Sequence, residues 1–182
     1  MRVIDLNADL GEGIGDDEAL LEVVTSANIA TGAHAGGGVL LQRAVEVAVH
    51  SGVAVGAHPS YRDRASFGRA SRLAVLQADA GARAALTHDL IDQILTVARV
   101  AERAGAPLAH VKAHGSIYNE AVHDLLAAGV VLEAVQAVSD RLGYPVAVMS
   151  LPHGHLAQNA RAAGVAVIAE GFVDRGYARS GQ

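Results

Sequence analysis

The chain has 182 residues, of which 51% are hydrophobic and 3% aromatic, with a formal net charge of −5, nine histidines and no cysteine. An acidic balance with few aromatic side chains offers neither a basic face for phosphates nor stacking platforms for bases, so nucleic acid is not an expected partner. The lack of cysteine excludes disulfides, thiolate metal sites and a cysteine nucleophile, and fits a reducing, cytoplasmic setting.

The N-terminus, MRVIDLNADLGEG, carries acids too early for a signal peptide. The uncharged stretches elsewhere are broken by glycine, histidine or proline, so no membrane span is expected. The first apolar run predicts a strand over 3–9, with Asp5, Asn7 and Asp9 on one face and Ile4, Leu6 and Ala8 on the other. A buried Asp5 would need Lys112, a histidine or backbone donors nearby. The glycine-rich loop that follows holds Glu12. It lacks both the Lys-Ser/Thr of a phosphate loop and a G-x-G-x-x-G pattern, and its acids would repel a triphosphate.

A helix is expected over 16–24, a strand over 27–34 with Asn28 and His34 on one face, and a helix over 38–51. A strand over 53–58 aligns Gly56 with His58, and a long helical pattern covers 73–104. The strand predicted over 108–114 aligns His110, Lys112 and His114, and a second long helical pattern covers 117–142. A strand over 145–151, a helix over 153–163 and a strand over 165–170, with Ile168 and Glu170 together, complete the series.

Strand and helix therefore alternate, and Gly52, Gly105, Gly143 and Gly164 close helices just before the next strand, the pattern of βα units around a parallel sheet. No linker or repeat interrupts residues 1–182, so one α/β domain is expected. Alternate positions are too polar for a sheet packed between two helix layers, which favours a barrel over a doubly wound open sheet. In a barrel the polar faces converge on the lumen, near the carboxyl ends of the strands.

His34, His58 and His114 each end a predicted strand. With Asp9 they could act as acids, bases or carbonyl polarisers, or Asp9, His34 and His58 could ligate a divalent ion. The one H-x-x-x-H spacing, His110 to His114, falls on a predicted strand rather than a helix and no H-E-x-x-H occurs, so a tightly held structural ion is not expected. His50, His88 and His123 fall on predicted helices and are expected at the surface, while His153 and His155 are weaker candidates. Lys112 is the only lysine, on the face where a compact ammonium could stabilise developing negative charge or form an ion pair with Asp5, Asp9 or Glu170. The terminal stretch EGFVDRGYARSG adds Glu170, Asp174, Arg175 and Tyr177, with Arg175 able to clamp a carboxylate.

The blocks IDLNADLGEGIGDDEALLEVVTSANIATGAHAG, GVAVGAHPSYRDRASFGR, HVKAHGSIYN and EGFVDRGY resemble, in order and spacing, the signature blocks of the LamB/YcsF family. The resemblance implies an irregular, seven-stranded (β/α) barrel of the glycoside hydrolase/deacetylase type, incomplete here at the C-terminus with six strands visible. It also implies an A subunit that, with B and C subunits, opens the lactam of 5-oxoproline to L-glutamate at the expense of ATP. Matched to the family pattern are Asn7, Asp9, Glu12, Asn28, His34, His58, Tyr61, Lys112, His114, Tyr118, Asn119, Glu170, Asp174 and Arg175. Of these, Asp9, Glu12, Lys112 and His114 are the expected catalytic residues: Lys112 and His114 on the carbonyl, and Asp9 or Glu12 on water. The others would bind substrate, with Arg175 or Asn28 on its carboxylate. Gly37 and Gly38 stand where the family pattern has an acid and a proline. ATP is expected to be handled with the partner subunits, while a divalent ion and homo-oligomerisation stay open. The alternatives are a stand-alone metal-dependent deacetylase-like hydrolase and a non-catalytic binding or regulatory subunit.

Overall fold

Strand and helix alternate along the described residues of the computed structural model, 4–173 and 176. The elements are β1 (Asn7–Leu10), α1 (Asp17–Leu21), β2 (Ser26–Ala30), α2 (Gly38–His50), β3 (Ala54–His58), α3 (Leu73–Ala78) and α4 (Ala80–Ala104). They continue with β4 (His110–Val111), α5 (Ser116–His123), α6 (Leu125–Leu142), β5 (Ala147–Ser150), α7 (His155–Ala162) and β6 (Val167–Ala169). The six strands are all parallel and lie in chain order. Crossovers between parallel strands are right-handed as a rule, and a sheet in sequential order then keeps its helices on one side and curls, whereas a doubly wound sheet reverses its order at a switch point. The result is a curled half-barrel of six strands, in which β1 and β6 are not paired among the described residues.

The convex face carries the core. Leu10, Ile29, Val55, Ala57, Val111 and Val148 pack against Leu41, Val45, Ile94, Val97, Val131 and Val135 of α2, α4 and α6. The alternate positions face the lumen: Asn7, Asp9, Asn28, His58 and His110 make it polar over β1 to β4, whereas Met149 and Ile168 keep it apolar at β5 and β6. Among the described residues no single helix is long and apolar enough to cross a membrane.

The boundaries differ from the sequence pattern in instructive ways. The helical pattern over 73–104 breaks at Asp79 and that over 117–142 breaks at Asp124. Each aspartate leaves the helix at φ near −130° and accepts hydrogen bonds from backbone N–H groups of the next one: Gly81 for Asp79, and Leu126 and Ala127 for Asp124. A carboxylate that satisfies orphan N–H groups starts a helix better than it sits inside one. β2 stops at Ala30, so His34 belongs to the following turn, where Thr31 bridges Gly36. Asp5 lies outside β1, exposed, and accepts from the Thr25 and Ser26 hydroxyls at 2.6 and 2.7 Å rather than from Lys112 or a histidine.

Candidate active site

The lumen face is built in rows set by the sheet register. Asp9 pairs with Asn28, Asn28 with Gly56, and Gly56 with His110. Gly56 lets the row close: a Cβ there would stand 2.1 Å from His110 Nε2. Across that gap His110 Nε2 donates to Asn28 Oδ1 at 2.7 Å, which turns the Asn28 amide so that Nδ2 donates to Asn7 Oδ1 and Asp9 Oδ1, at 2.8 and 2.9 Å. Asn28 is fully buried with both ends of its amide engaged. It orients Asp9 and has no donor left for a substrate carboxylate.

Lys112 follows β4, and its N–H still bonds the Ala57 carbonyl at 3.0 Å, so the inward alternation runs on past the strand. Its ammonium meets Asp9 Oδ1 at 3.0 Å and Glu170 Oε1 at 2.6 Å, with Asn7 Oδ1 at 3.3 Å. Glu170 is held in turn by the Tyr118 hydroxyl at 2.8 Å. The lysine thus ties β1 to the end of β6 across the lumen.

Beside this network three histidines and Glu12 converge. His34 Nε2 lies 3.1 Å from Glu12 Oε1, His114 Nδ1 lies 3.7 Å from the same oxygen, and His58 Nε2 lies 3.0 Å from His114 Nδ1 and 3.3 Å from Asp9 Oδ2. The His34 and His114 rings stack, with centroids 3.7 Å apart. Gly68, at φ +68°, leaves room for both side chains, since a Cβ there would lie 3.0 Å from His34 Cβ and 3.1 Å from the His114 ring. Its neighbour Phe67 holds a left-handed φ of +57°, which costs a non-glycine residue energy, and presents its carbonyl to His114 Nε2 at 2.9 Å. Gln93 of α4 accepts from Thr31 Oγ1 and Ser60 N and donates to the Ser60 carbonyl, which sets Ser60 against His34.

Charge is distributed unevenly over these groups. Burial alone would raise the Asp9 carboxyl, but the protonated form of His58 and the Lys112 ammonium, by charge and hydrogen bonding, hold it far below the usual carboxylate range. Glu12 is also held low, its burial outweighed by hydrogen bonding and charge from His34, His58 and His114 in their protonated forms. Burial lowers His34 against the opposing pull of Glu12, and burial together with His58 and His34 pushes His114 down to about 4. Burial likewise takes His110 down to about 4.

A cavity of about 400 Å³ opens over this floor, lined by Asp9, His58, Lys112, His114, Tyr118, Asn119, Arg69 and Phe172 among others. That volume suits a small ligand. A cavity of about 510 Å³ between α1 and α2 is larger, but its acids are the exposed Asp16 and Glu18 and a half-buried Asp17 already bonded to the Gly11 N–H, and with Arg43 they form no convergent network.

The structure therefore brings together Asn7, Asp9, Glu12, Asn28, His34, His58, Lys112, His114, Tyr118, Asn119 and Glu170. Tyr61 is placed elsewhere: its ring is buried and its hydroxyl donates to Glu120 Oε2 on α5, which together with burial raises the phenol far above its usual value. His114 also differs from its expected role on a carbonyl, because its Nε2–H is engaged by Phe67 and its Nδ1 faces His58. Asp174 and Arg175 lie outside the described residues, as does Tyr177. Gly37 caps α2 and packs against Gly32, and Gly38 has φ +54°, which a proline cannot adopt. His50, His88, His123 and His153 are exposed and His155 is half-buried. Sequence reasoning missed Arg69, whose guanidinium lies over the Phe67 ring at the cavity mouth, and Phe67 itself. The SFGR stretch gives no periodic signal for either.

The model of the LamB/YcsF family matches residues 4–182. The A subunit of 5-oxoprolinase from Cutibacterium acnes is 40% identical over 97% of this chain and 68% of its own length. The corresponding 5-oxoprolinase polypeptide of Streptomyces avermitilis is 43% identical over 98% of this chain and 69% of its own. Among solved structures, the lactam utilization protein from Thermus thermophilus superposes with a TM-score of 0.87 at 36% identity, over 98% of this chain and 70% of that one.

Proposed function

We propose, from a chain that belongs to the LamB/YcsF family, that this protein is the A subunit of an ATP-dependent 5-oxoprolinase, opening the lactam of 5-oxoproline to L-glutamate together with B and C subunits. The observation that carries the reading is the ammonium of Lys112, held between Asp9 and Glu170 on the floor of a cavity suited to a small ligand.

An unstrained lactam opens only if its carbonyl is activated, a nucleophile is delivered and the tetrahedral oxyanion is stabilised. Lys112 supplies the positive charge for the oxyanion, pre-oriented by two carboxylates so that little reorganisation is needed during reaction. Asp9 is held too acidic to be an effective proton acceptor near neutral pH, so its role is to accept a hydrogen bond from water and to aim Lys112. Arg69 is the cation at the cavity mouth in reach of a substrate carboxylate, and Asn119 and Tyr118 line the wall beside it. The glycine-rich loop after β1 lacks the features of a phosphate loop, which supports a reading in which the partner subunits take part in ATP chemistry.

The test is glutamate release from 5-oxoproline by the purified chain, with and without ATP and B and C subunits, with the equivalent chain of a relative run in parallel as control. Release that needs all components is the expected result. Release by this chain alone without ATP, or none in the complete mixture when the relative's chain restores activity, would overturn the proposal.

A further inference from the structure

The geometry points to a binding site for one divalent transition-metal ion, of the zinc class, formed by Glu12, His34, His58 and His114. The inference does not depend on the lactam reading. Its starting point is where each imidazole spends its single N–H. His58 Nδ1 lies 2.7 Å from the Lys112 carbonyl and His114 Nε2 lies 2.9 Å from the Phe67 carbonyl, and a carbonyl can only accept. His34 Nδ1 lies 2.9 Å from Ser60 Oγ, whose own hydrogen is directed to the Tyr61 carbonyl at 3.0 Å. All three rings therefore donate outward, and a neutral ring has no second N–H.

The inward nitrogens are then lone pairs: Nε2 of His34, Nε2 of His58 and Nδ1 of His114. They face one another and Glu12 Oε1 across 3.0 to 3.7 Å. Each of these contacts pairs an acceptor with an acceptor, in a place where the three rings are buried. Such contacts repel unless a cation stands between them. One ligand atom from each of the four residues falls within 4.8 Å of the others. The ligand atoms of a tetrahedral ion with bonds of about 2.0–2.1 Å stand roughly 3.3 Å apart, close to the observed separations.

Outward donation to oxygen is also what fixes metal-binding histidines in the required tautomer. The donor set of three imidazoles and a carboxylate suits zinc and neighbouring ions rather than calcium or magnesium. With four protein ligands the shell is closed, as in ions that hold structure. Here the ion would join the segments that follow β1, β2 and β4 to the end of β3. His34 and His114 now stack with planes 7° apart, so binding requires the two rings to splay. The set differs from Asp9, His34 and His58, because Glu12 rather than Asp9 lies beside two of the imidazoles.

The experiment uses the full chain, freed of metal by chelation and dialysis, titrated with Co2+ and then Zn2+. One equivalent of Co2+ with the intense visible bands of a tetrahedral ion, displaced by Zn2+, is expected, with a melting temperature raised by Zn2+. Glu12→Gln, at a half-buried position that should not threaten folding, and His114→Ala should each weaken binding by at least about tenfold to a hundredfold. Asp9→Asn should leave the affinity unchanged. The proposal is overturned by any of three results: no saturable equivalent in the wild type, binding unaffected in both Glu12→Gln and His114→Ala, or binding lost in Asp9→Asn and kept in Glu12→Gln. The first would mean that a proton shared between His58 and His114 occupies the point assigned to the ion.

Discussion

On the Lys112 side of the cavity floor every donor meets an acceptor, whereas on the His34 and His114 side the converging atoms are all acceptors. The first network closes on itself because one ammonium is shared by Asp9, Glu170 and Asn7, and the Asn28 amide is turned by His110 to add two more donors. The second is incomplete in the same terms, since its N–H groups all point away from the centre. The residue types on the two sides overlap. The side that needs an added cation is found by where the hydrogens go, and a count of histidines would not have located it.

The largest expected effect comes from breaking the self-sufficient side. Lys112→Met in the reconstituted complex should lower turnover by about a hundred- to a thousandfold, the usual scale for losing a group that stabilises an oxyanion. It should also destabilise the chain, by about 3–5 kcal/mol, because the Glu170 carboxylate is left buried without its cation. The double change Lys112→Met with Glu170→Gln separates the two roles. Denaturant unfolding should recover most of the stability while turnover stays low, and recovery of turnover would make the lysine a structural ion-pair member.

Gly56→Ala should come next, at roughly 1–3 kcal/mol, because the added carbon falls on the His110 ring and must displace it. Turnover should fall as well, since Asn28 loses the hydrogen bond that aims it at Asp9. An unfolding midpoint within error of wild type would mean that His110 does not cross the lumen to Asn28.

Tyr61→Phe distinguishes a structural tyrosine from a substrate contact. It removes a buried hydrogen bond to Glu120 and should cost about 1–3 kcal/mol of stability with KM unchanged. A raised KM at unaltered stability would return Tyr61 to the binding site.

The smallest effect lies far from the floor. Asp124→Ala should cost about 1 kcal/mol by uncapping α6. The Ala127 N–H, the Gln77 amide and the Leu126 N–H hold the Asp124 carboxyl below its usual value against a small opposing effect of burial. Its contribution is therefore fully present above the unfolded value of about 3.9 and is lost as pH falls through the lower folded value. Urea midpoints of wild type and variant should converge on the acid side of that value, and a gap that persists there would assign the effect to something other than the charged cap.

What could be read in advance follows the same division. Asp9, Asn28, His58, His110, Lys112 and His114 were legible because their backbone is extended, and a period of two puts alternate residues on one face whatever the rest of the fold does. Glu12 and His34 reach the site through turns, and no period relates a turn residue to a strand. Extending β2 to residue 34 aligned Asn28 with His34 on a false premise, although the turn does deliver His34 to the lumen side. The breaks at Asp79 and Asp124 had a signal, an N-capping aspartate within a helical pattern, that the apolar spacing concealed.

The sequence by itself determined the alternation of strand and helix, the parallel sheet and the polar inner face, because these rest on periodicities and glycine stops that act over a few residues. Only the tertiary structure decided which polar residues touch. Lys112 meets Asp9 across a separation of 103 residues and His114 meets His58 across 56. Such contacts depend on how far the sheet curls and where each turn carries its side chains, and no local rule encodes either. The outward direction of the imidazole N–H groups was decided there too, since it is set by carbonyls and a hydroxyl from segments distant in the chain.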